Sequence, residues 1–399
     1  MRNKVFFVIL ILLFYLPVFA SIDSTGARSA GSPGPFRISL IIGSPGEEVW
    51  ETFGHSCIRV IDSSKIGGER DVIYNYGYFD ATAGYIGNQF LTGRVRVFLD
   101  TITYHELIVE FTDKKRGLTE QVLILNDTQK EQIVKYLKNN LRNENRYYEY
   151  DTFFDNCTTR LRDMFVSLFG SNFVPGRAIP PDSRLTIRNI AVDQYCDEEQ
   201  HKYWFGLFLS IFYAKKTDVP VSNDVVMFLP KYFGEGMAGA TLYGKPLTEQ
   251  TTTILEDKVV FKDEGNGPFL LFLVIAIITI ASLLYTPYPV IGNIISTIVL
   301  CASGLLGCFI VYTWMLPGEP AWANNFNFLW ALPTNIVIPF LKPAIKVKYA
   351  IVAIILIGIS FLLSLMKIQV IPLYQISPLL LALIWIFAVM YRRNYAKTK

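Results

Sequence analysis

Three residues far apart in this 399-residue chain have the neighbours that thiol chemistry needs. Cys157 stands in Phe153-Phe154-Asp155-Asn156-Cys157-Thr158-Thr159-Arg160. Leu161, Phe165 and Leu168 follow at helical spacing and Gly170 closes the run, so a helix is expected over Cys157–Leu168, capped by Asp155 or Asn156. Cys157 would then sit in the first turn. There the unpaired N–H groups and the positive end of the dipole favour a thiolate. The same end, at Asn156 and Thr158, is expected to hold a developing oxyanion. The plain alternative is a small cysteine buried in a core, a very common fate.

A thiol nucleophile needs a base, and the chain has three histidines. His55 lies in Phe53-Gly54-His55-Ser56, where a strand begins and a glycine leaves room beside the ring. His105 lies in a mixed polar stretch, and His201 stands among acidic residues. Position favours His55 over His105, although a lone histidine is more often structural than catalytic. Asn75, in Tyr74-Asn75-Tyr76-Gly77-Tyr78-Phe79-Asp80, is placed to accept from the imidazole N–H and orient it; the competing reading is an ordinary strand-end asparagine. Of the other four cysteines, Cys57 and Cys196 read as core residues or one disulfide, and Cys301 and Cys308 as helix-packing or lipid-side residues. No CxxC, HExxH or paired-histidine spacing, no glycine-rich phosphate loop and no GxSxG elbow occurs. Neither a metal nor another cofactor is therefore expected.

The elements that must position these groups fall into two blocks. No charged residue occurs from Gly265 to Gly318, a run too long for one buried helix, so the chain is a membrane protein. Spans are expected at Phe269–Tyr285, Val290–Trp314, Asn325–Leu341, Tyr349–Met366 and Val370–Tyr391. The third is interrupted by Pro333 and Pro339 and has a re-entrant loop as its alternative. Five spans put the Lys342, Lys346 and Lys348 loop and the basic tail 392–399 both in the cytoplasm. Residues 1–20 have the charge, apolar run and small-residue end of a secretory signal, with an uncleaved first helix as the alternative, and 21–35 read as a flexible leader. Residues 36–264 would then form an exported, periplasmic α+β domain and 265–391 the membrane domain. Within the first, short strands are expected at Phe36–Ile42, Ser56–Ile61, Val72–Tyr76 and Arg94–Leu99. A helix should open at a Thr128–Glu131 capping box with Ile133, Tyr136, Leu137 and Leu141 on its apolar face. The net charge of +3 is too small to argue for nucleic acid.

Histidine first and cysteine later, on a helix start, resembles the circularly permuted NlpC/P60 group, papain-like folds that include the lecithin:retinol acyltransferase-like enzymes. A closer resemblance joins Phe53-Gly54-His55-Ser56, Tyr74-Asn75-Tyr76-Gly77, Tyr148-Glu149-Tyr150-Asp151, Asp155-Asn156-Cys157-Thr158-Thr159-Arg160, Met227-Phe228-Leu229-Pro230 and Asn325-Phe326-Asn327-Phe328-Leu329-Trp330. This set, spanning about 36–390, is similar to the Lnb-type lipoprotein N-acyltransferases of Bacteroidota.

That resemblance implies a reaction. An acyl chain would pass from a membrane phospholipid to Cys157, with His55 as base. It would then pass to the α-amine of a lipoprotein's N-terminal diacylglyceryl-cysteine, at the periplasmic face of the inner membrane. Tyr76, Tyr150, Asp155, Asn325, Asn327 and Trp330 are expected to line the substrate path, between the exported domain and the Pro317–Asn324 loop. Arg160 is a candidate for a lipid phosphate, but a surface charge is the preferred reading. Two other functions remain open: a membrane-anchored thiol hydrolase acting on cell-envelope peptides, and a non-enzymatic envelope binding protein with Cys157 merely buried.

Overall fold

Alternating apolar residues build a sheet of seven strands: β1 (Phe36–Gly43), β2 (His55–Asp62), β3 (Asp71–Phe79), β4 (Arg96–Thr103), β5 (Leu118–Val122), β6 (Tyr147–Glu149) and β7 (Thr252–Leu255). The structure, a computed structural model, describes residues 35–84, 89, 94–285, 289–315 and 321–397. The expected signal segment 1–20, the leader up to residue 34 and residues 317–320 of the expected Pro317–Asn324 loop lie outside the described residues. The strand order is β7-β5-β1-β2-β3-β4-β6 and every neighbouring pair is antiparallel. The four strands expected from the sequence are β1–β4. The shorter β5, β6 and β7 carry too little alternation to be read locally.

The period of two puts the two sets of side chains on opposite faces. Ile38, Leu40, Ile58, Val60, Tyr74 and Tyr76 meet Ile133 and Leu137 of one helix and Leu161, Met164 and Phe165 of another. Ile41, Cys57 and Ile73 face Leu107 and Phe111. The helices are α1 (Tyr104–Asp113), α2 (Asp127–Asn140) and α3 (Cys157–Phe169). The start of α2 corrects the reading from Thr128: the cap is Asn126, whose side chain and that of Gln129 each accept the other's backbone N–H at 2.9 Å. Cys57 and Cys196 are both free and buried, so they form no disulfide.

After α4 (Tyr203–Phe212) and α5 (Pro230–Ala238) come four helices long and apolar enough to cross a membrane. They are α6 (Gly267–Leu284), α7 (Pro289–Trp314), α8 (Pro343–Leu365) and α9 (Leu373–Tyr395). The expected third helix, Asn325–Leu341, is instead a chain of short 3-10 turns at Phe326–Leu329, Pro333–Ile336 and Ile338–Phe340. Pro333 and Pro339 lack the N–H an α-helix needs there.

These turns still run from one end of the bundle to the other. At one end the Asn325 and Asn327 amides donate to the Ile211 and Phe212 carbonyls of the exported domain. At the other, Lys346 Nζ reaches the Pro339 carbonyl. Arg393, close by in the basic tail, binds Asn293 and the Leu283 carbonyl where α6 turns into α7. Irregular backbone at membrane depth survives only when protein buries it. Here Asn325, Asn327 and Asn335 are fully buried, and Trp330 nearly so. Gly307 of α7 makes room: a Cβ there would collide with the Ala331 carbonyl oxygen.

Candidate active site

The start of α3 is built by Asn156. Its Oδ1 accepts the N–H groups of Thr158 and Thr159 at 2.9 and 2.8 Å, and the Thr159 hydroxyl accepts the Asn156 N–H at 2.7 Å. Its Nδ2 donates to the carbonyls of Thr152 and Phe228. Asn156 is therefore the cap, and Asp155 makes a two-point ion pair with Arg160 instead. The cap ties the Cys157 helix to Met227-Phe228-Leu229, the turn that leads into α5.

The arrangement also corrects the expected oxyanion site. The N–H groups of Asn156 and Thr158 are consumed by the cap, and that of Arg160 bonds to the Asn156 carbonyl. Among the described residues, the Cys157 N–H carries no bond of this kind.

Strands β2 and β3 pair from Ile61–Asp71 as far as Ile58–Tyr74 and then separate. β3 bulges between Tyr76 and Tyr78, with Gly77 at φ 101 in the left-handed region. Cys157 occupies this opening. His55 opens β2 on one side of it. The other side is Gly77, whose Cβ, if present, would stand 3.9 Å from Cys157 Cβ. His55 Nε2 donates to Asn75 Oδ1 at 2.5 Å, and Asn75 Nδ2 donates to the Tyr78 hydroxyl at 3.2 Å. The second bond orients the Asn75 amide so that its oxygen faces the ring. The proton then sits on Nε2, and Nδ1 is the ring nitrogen left unprotonated.

Electrostatics follow from that geometry. Burial pushes the Cys157 thiol up. The charge and hydrogen bond of His55, the Ser56 backbone N–H and the Thr158 hydroxyl outweigh it and bring it down to about 7. Burial acts downward on His55, but the Cys157 charge and hydrogen bond, with Asn75, leave the imidazole raised. Each group thus favours the other's charged form, which is the condition for a thiolate–imidazolium pair. Both residues are half-buried rather than sealed. By contrast, burial drives the Cys57 and Cys196 thiols far up, and both stay protonated. Of the other histidines, His105 is exposed on α1 and His201 Nδ1 pairs with the Tyr203 hydroxyl.

The remaining predicted residues divide. Tyr76 is buried in the sheet's core, while Tyr150, like Cys157, is half-buried and packs against that core. Asp155 is committed to Arg160, whose guanidinium stacks 4.0 Å from the Tyr148 ring centroid; Arg160 is thus neither an isolated surface charge nor an open cation. Asn325, Asn327 and Trp330 are buried in the bundle. They are bonded to the α4 carbonyls and to each other, because an amide inside a bundle must spend its hydrogen bonds on neighbouring backbone. Ser56 and Tyr148 were not singled out from the sequence as site residues. Among the described residues no group of three or more His, Cys, Asp or Glu could hold a metal.

The site hangs directly on the bundle. Phe153, just ahead of the cap, packs edge-on against Tyr213 and Phe228 at 5.6 and 5.2 Å. The Tyr213 carbonyl accepts from buried Gln369, between α8 and α9. Fold and site together define a membrane protein whose sheet domain holds a cysteine–histidine–asparagine arrangement against the end of a helical bundle. Residues 32–188 match the family model of the Lnb N-terminal periplasmic domain, and residues 262–398 that of the Lnb transmembrane domain. The two together span most of the chain, and it is an Lnb-type protein, a membrane protein with a periplasmic domain. No curated protein and no solved structure matched the chain, so the likeness to a permuted papain-like fold rests on motif order alone.

Proposed function

We propose that this protein is a lipoprotein N-acyltransferase of the bacterial inner membrane. The observation that carries the reading is Cys157 at a capped helix start, its thiol lowered chiefly by the neighbouring His55 imidazole that Asn75 orients, and held at the end of a membrane bundle. The Cys157 thiolate attacks an ester carbonyl of a phospholipid. The lysophospholipid leaves as an alcohol, taking its proton from the His55 imidazolium. The α-amine of a diacylglyceryl-cysteine then attacks the thioester, giving its proton to His55, and the thiolate is released. An amide is more stable than a thioester, which drives the second half forward. Asn75 keeps the imidazole in the tautomer whose Nδ1 is unprotonated.

The fold supports lipid substrates over soluble peptides. The Phe153–Tyr213–Gln369 contacts hold the nucleophile's helix at the bundle end opposite the basic segments, and a single anchor helix would suffice for a peptidase. The test is to incubate purified full-length protein with acyl-labelled phospholipid and then with diacylated lipoprotein. Wild type is expected to carry hydroxylamine-sensitive label and to give triacylated product. Cys157→Ala should do neither while remaining in the membrane. Triacylated product from Cys157→Ala would refute the mechanism.

A further inference from the structure

Tyr148 is a polar group that the site, as described so far, does not use. It lies on β6, is 8% exposed, and its hydroxyl has no hydrogen-bond partner. Leaving a buried hydroxyl unpaired costs stability, so such a group calls for a reason. The ring is held from two sides, by the Arg160 guanidinium 4.0 Å from its centroid and by the edge of Tyr76 at 6.2 Å. The direction of the hydroxyl is read from Gly77. A Cβ on that residue would stand 4.0 Å from Tyr148 Oη and 3.9 Å from Cys157 Cβ. Phenol and nucleophile therefore flank one gap, open because residue 77 has no side chain.

Two further facts bear on what the gap is for. The phenol keeps its proton, because burial first and the Cys157 charge second push its ionisation far up, so it has an O–H to donate. And the helix start has spent its N–H groups on the Asn156 cap, leaving that of Cys157 itself. Tyr76 also has a buried, unpaired hydroxyl, but the charges it senses are those of Tyr136, Arg160 and Asp155, with no contribution from Cys157.

We infer that Tyr148 is a catalytic oxyanion donor, its O–H joining the Cys157 backbone N–H around the negative oxygen formed when a carbonyl is attacked at Cys157. The inference rests on the acyl-transfer reading. As the sulfur–carbon bond forms, the carbonyl pair moves onto oxygen and is met by the Tyr148 O–H. When the carbonyl re-forms, the ester carbon–oxygen bond breaks and the His55 proton goes to the leaving alkoxide. Tyr148 keeps its proton throughout and repeats the role when the amine attacks the thioester.

The experiment compares full-length wild type, Tyr148→Phe and a variant with 3-fluorotyrosine at 148, on vesicles of acyl-labelled phosphatidylethanolamine. It measures the rate of label transfer to Cys157, the pH profile of Cys157 alkylation by iodoacetamide, and the melting temperature. Tyr148→Phe should be acylated about 10²–10³-fold more slowly, the loss typical of one oxyanion donor. Its alkylation profile should match wild type and its melting temperature should be equal or higher. The fluorotyrosine variant, which keeps the hydroxyl, should stay within a few-fold of wild type. Equal acylation rates in wild type and Tyr148→Phe overturn the inference. So does a loss matched by a shifted alkylation profile, or one shared by the fluorotyrosine variant, since either assigns Tyr148 to the thiol or to packing. Unlabelled wild type overturns the acyl-transfer reading itself, and with it the Tyr148 assignment.

Discussion

Two regions of this molecule bury polar groups, and they treat them oppositely. In the irregular segment between α7 and α8, the three buried asparagine amides are bonded: Asn325 and Asn327 to the Ile211 and Phe212 carbonyls, Asn335 to the Ser303 and Tyr349 hydroxyls. Around Cys157 the Tyr148 hydroxyl has no partner, and the pair Cys157–His55 is held half-buried with each group favouring the other's charged form. A lipid bilayer offers no water to rescue an unpaired amide, so the segment satisfies its own. A site that must stabilise charge appearing during a reaction does better with donors kept in reserve. Removing polar groups from the first region should therefore cost stability, and from the second, rate.

The largest effect separates the regions most sharply. Changing His55→Ala should slow label transfer to Cys157 by about 10³-fold, within the range of general acid–base catalysis. It should also move the midpoint of Cys157 alkylation from about 7 to above the ordinary thiol value, since the chief influence then left on the sulfur is burial, which acts upward. The sign in wild type is the reverse: the lowered thiol stays anionic above that midpoint, and acylation is lost as pH falls through it. A rising limb unchanged in His55→Ala would break the assignment of the base.

Next comes Asn75→Ala, which frees the ring to turn and to change tautomer. A loss of about 10–100-fold is expected, as for removal of groups that orient a reactive histidine, with melting temperature nearly constant. A larger fall in stability than in rate would make Asn75 a structural asparagine.

Asn335→Leu tests the other region. It leaves the Ser303 and Tyr349 hydroxyls without their shared partner and should cost about 1–3 kcal/mol of stability, seen as a lower melting temperature in detergent, with the turnover of the folded fraction unchanged. The smallest effect is expected from Gln129→Ala. It removes one half of the α2 capping box, worth roughly 0.5–1 kcal/mol, far from either region and without any change in acylation rate.

Much of the layout was legible locally. β1–β4, the apolar face of α2, the helix behind Cys157 and the four long membrane helices are written in contiguous patterns of period two, period 3.6 or unbroken hydrophobicity. In the asparagine-rich segment the sequence shows polarity but not what the polarity is spent on. Asn156 and Thr158 were misread as oxyanion donors for the same reason. A cap and an oxyanion site use the same N–H groups, and residue types do not say which claim succeeds. Tyr148 stood in a quoted motif but carried no chemical signal of its own, because a tyrosine on a three-residue strand shows no local sign of what it faces.

By itself the sequence determined that the chain has a water-facing block and a membrane block, and that a cysteine begins a helix, because caps and periodicities are settled among near neighbours. Only tertiary structure decided which histidine meets that cysteine. The choice depends on β2 and β3 parting beyond Ile58 and Tyr74, so that the first turn of α3 enters the opening beside His55. It also decided that Pro333 and Pro339 leave a buried path between the two ends of the bundle rather than a helix. Both outcomes rest on hydrogen bonds between residues distant in the chain, whose partners are chosen by strand register and helix packing.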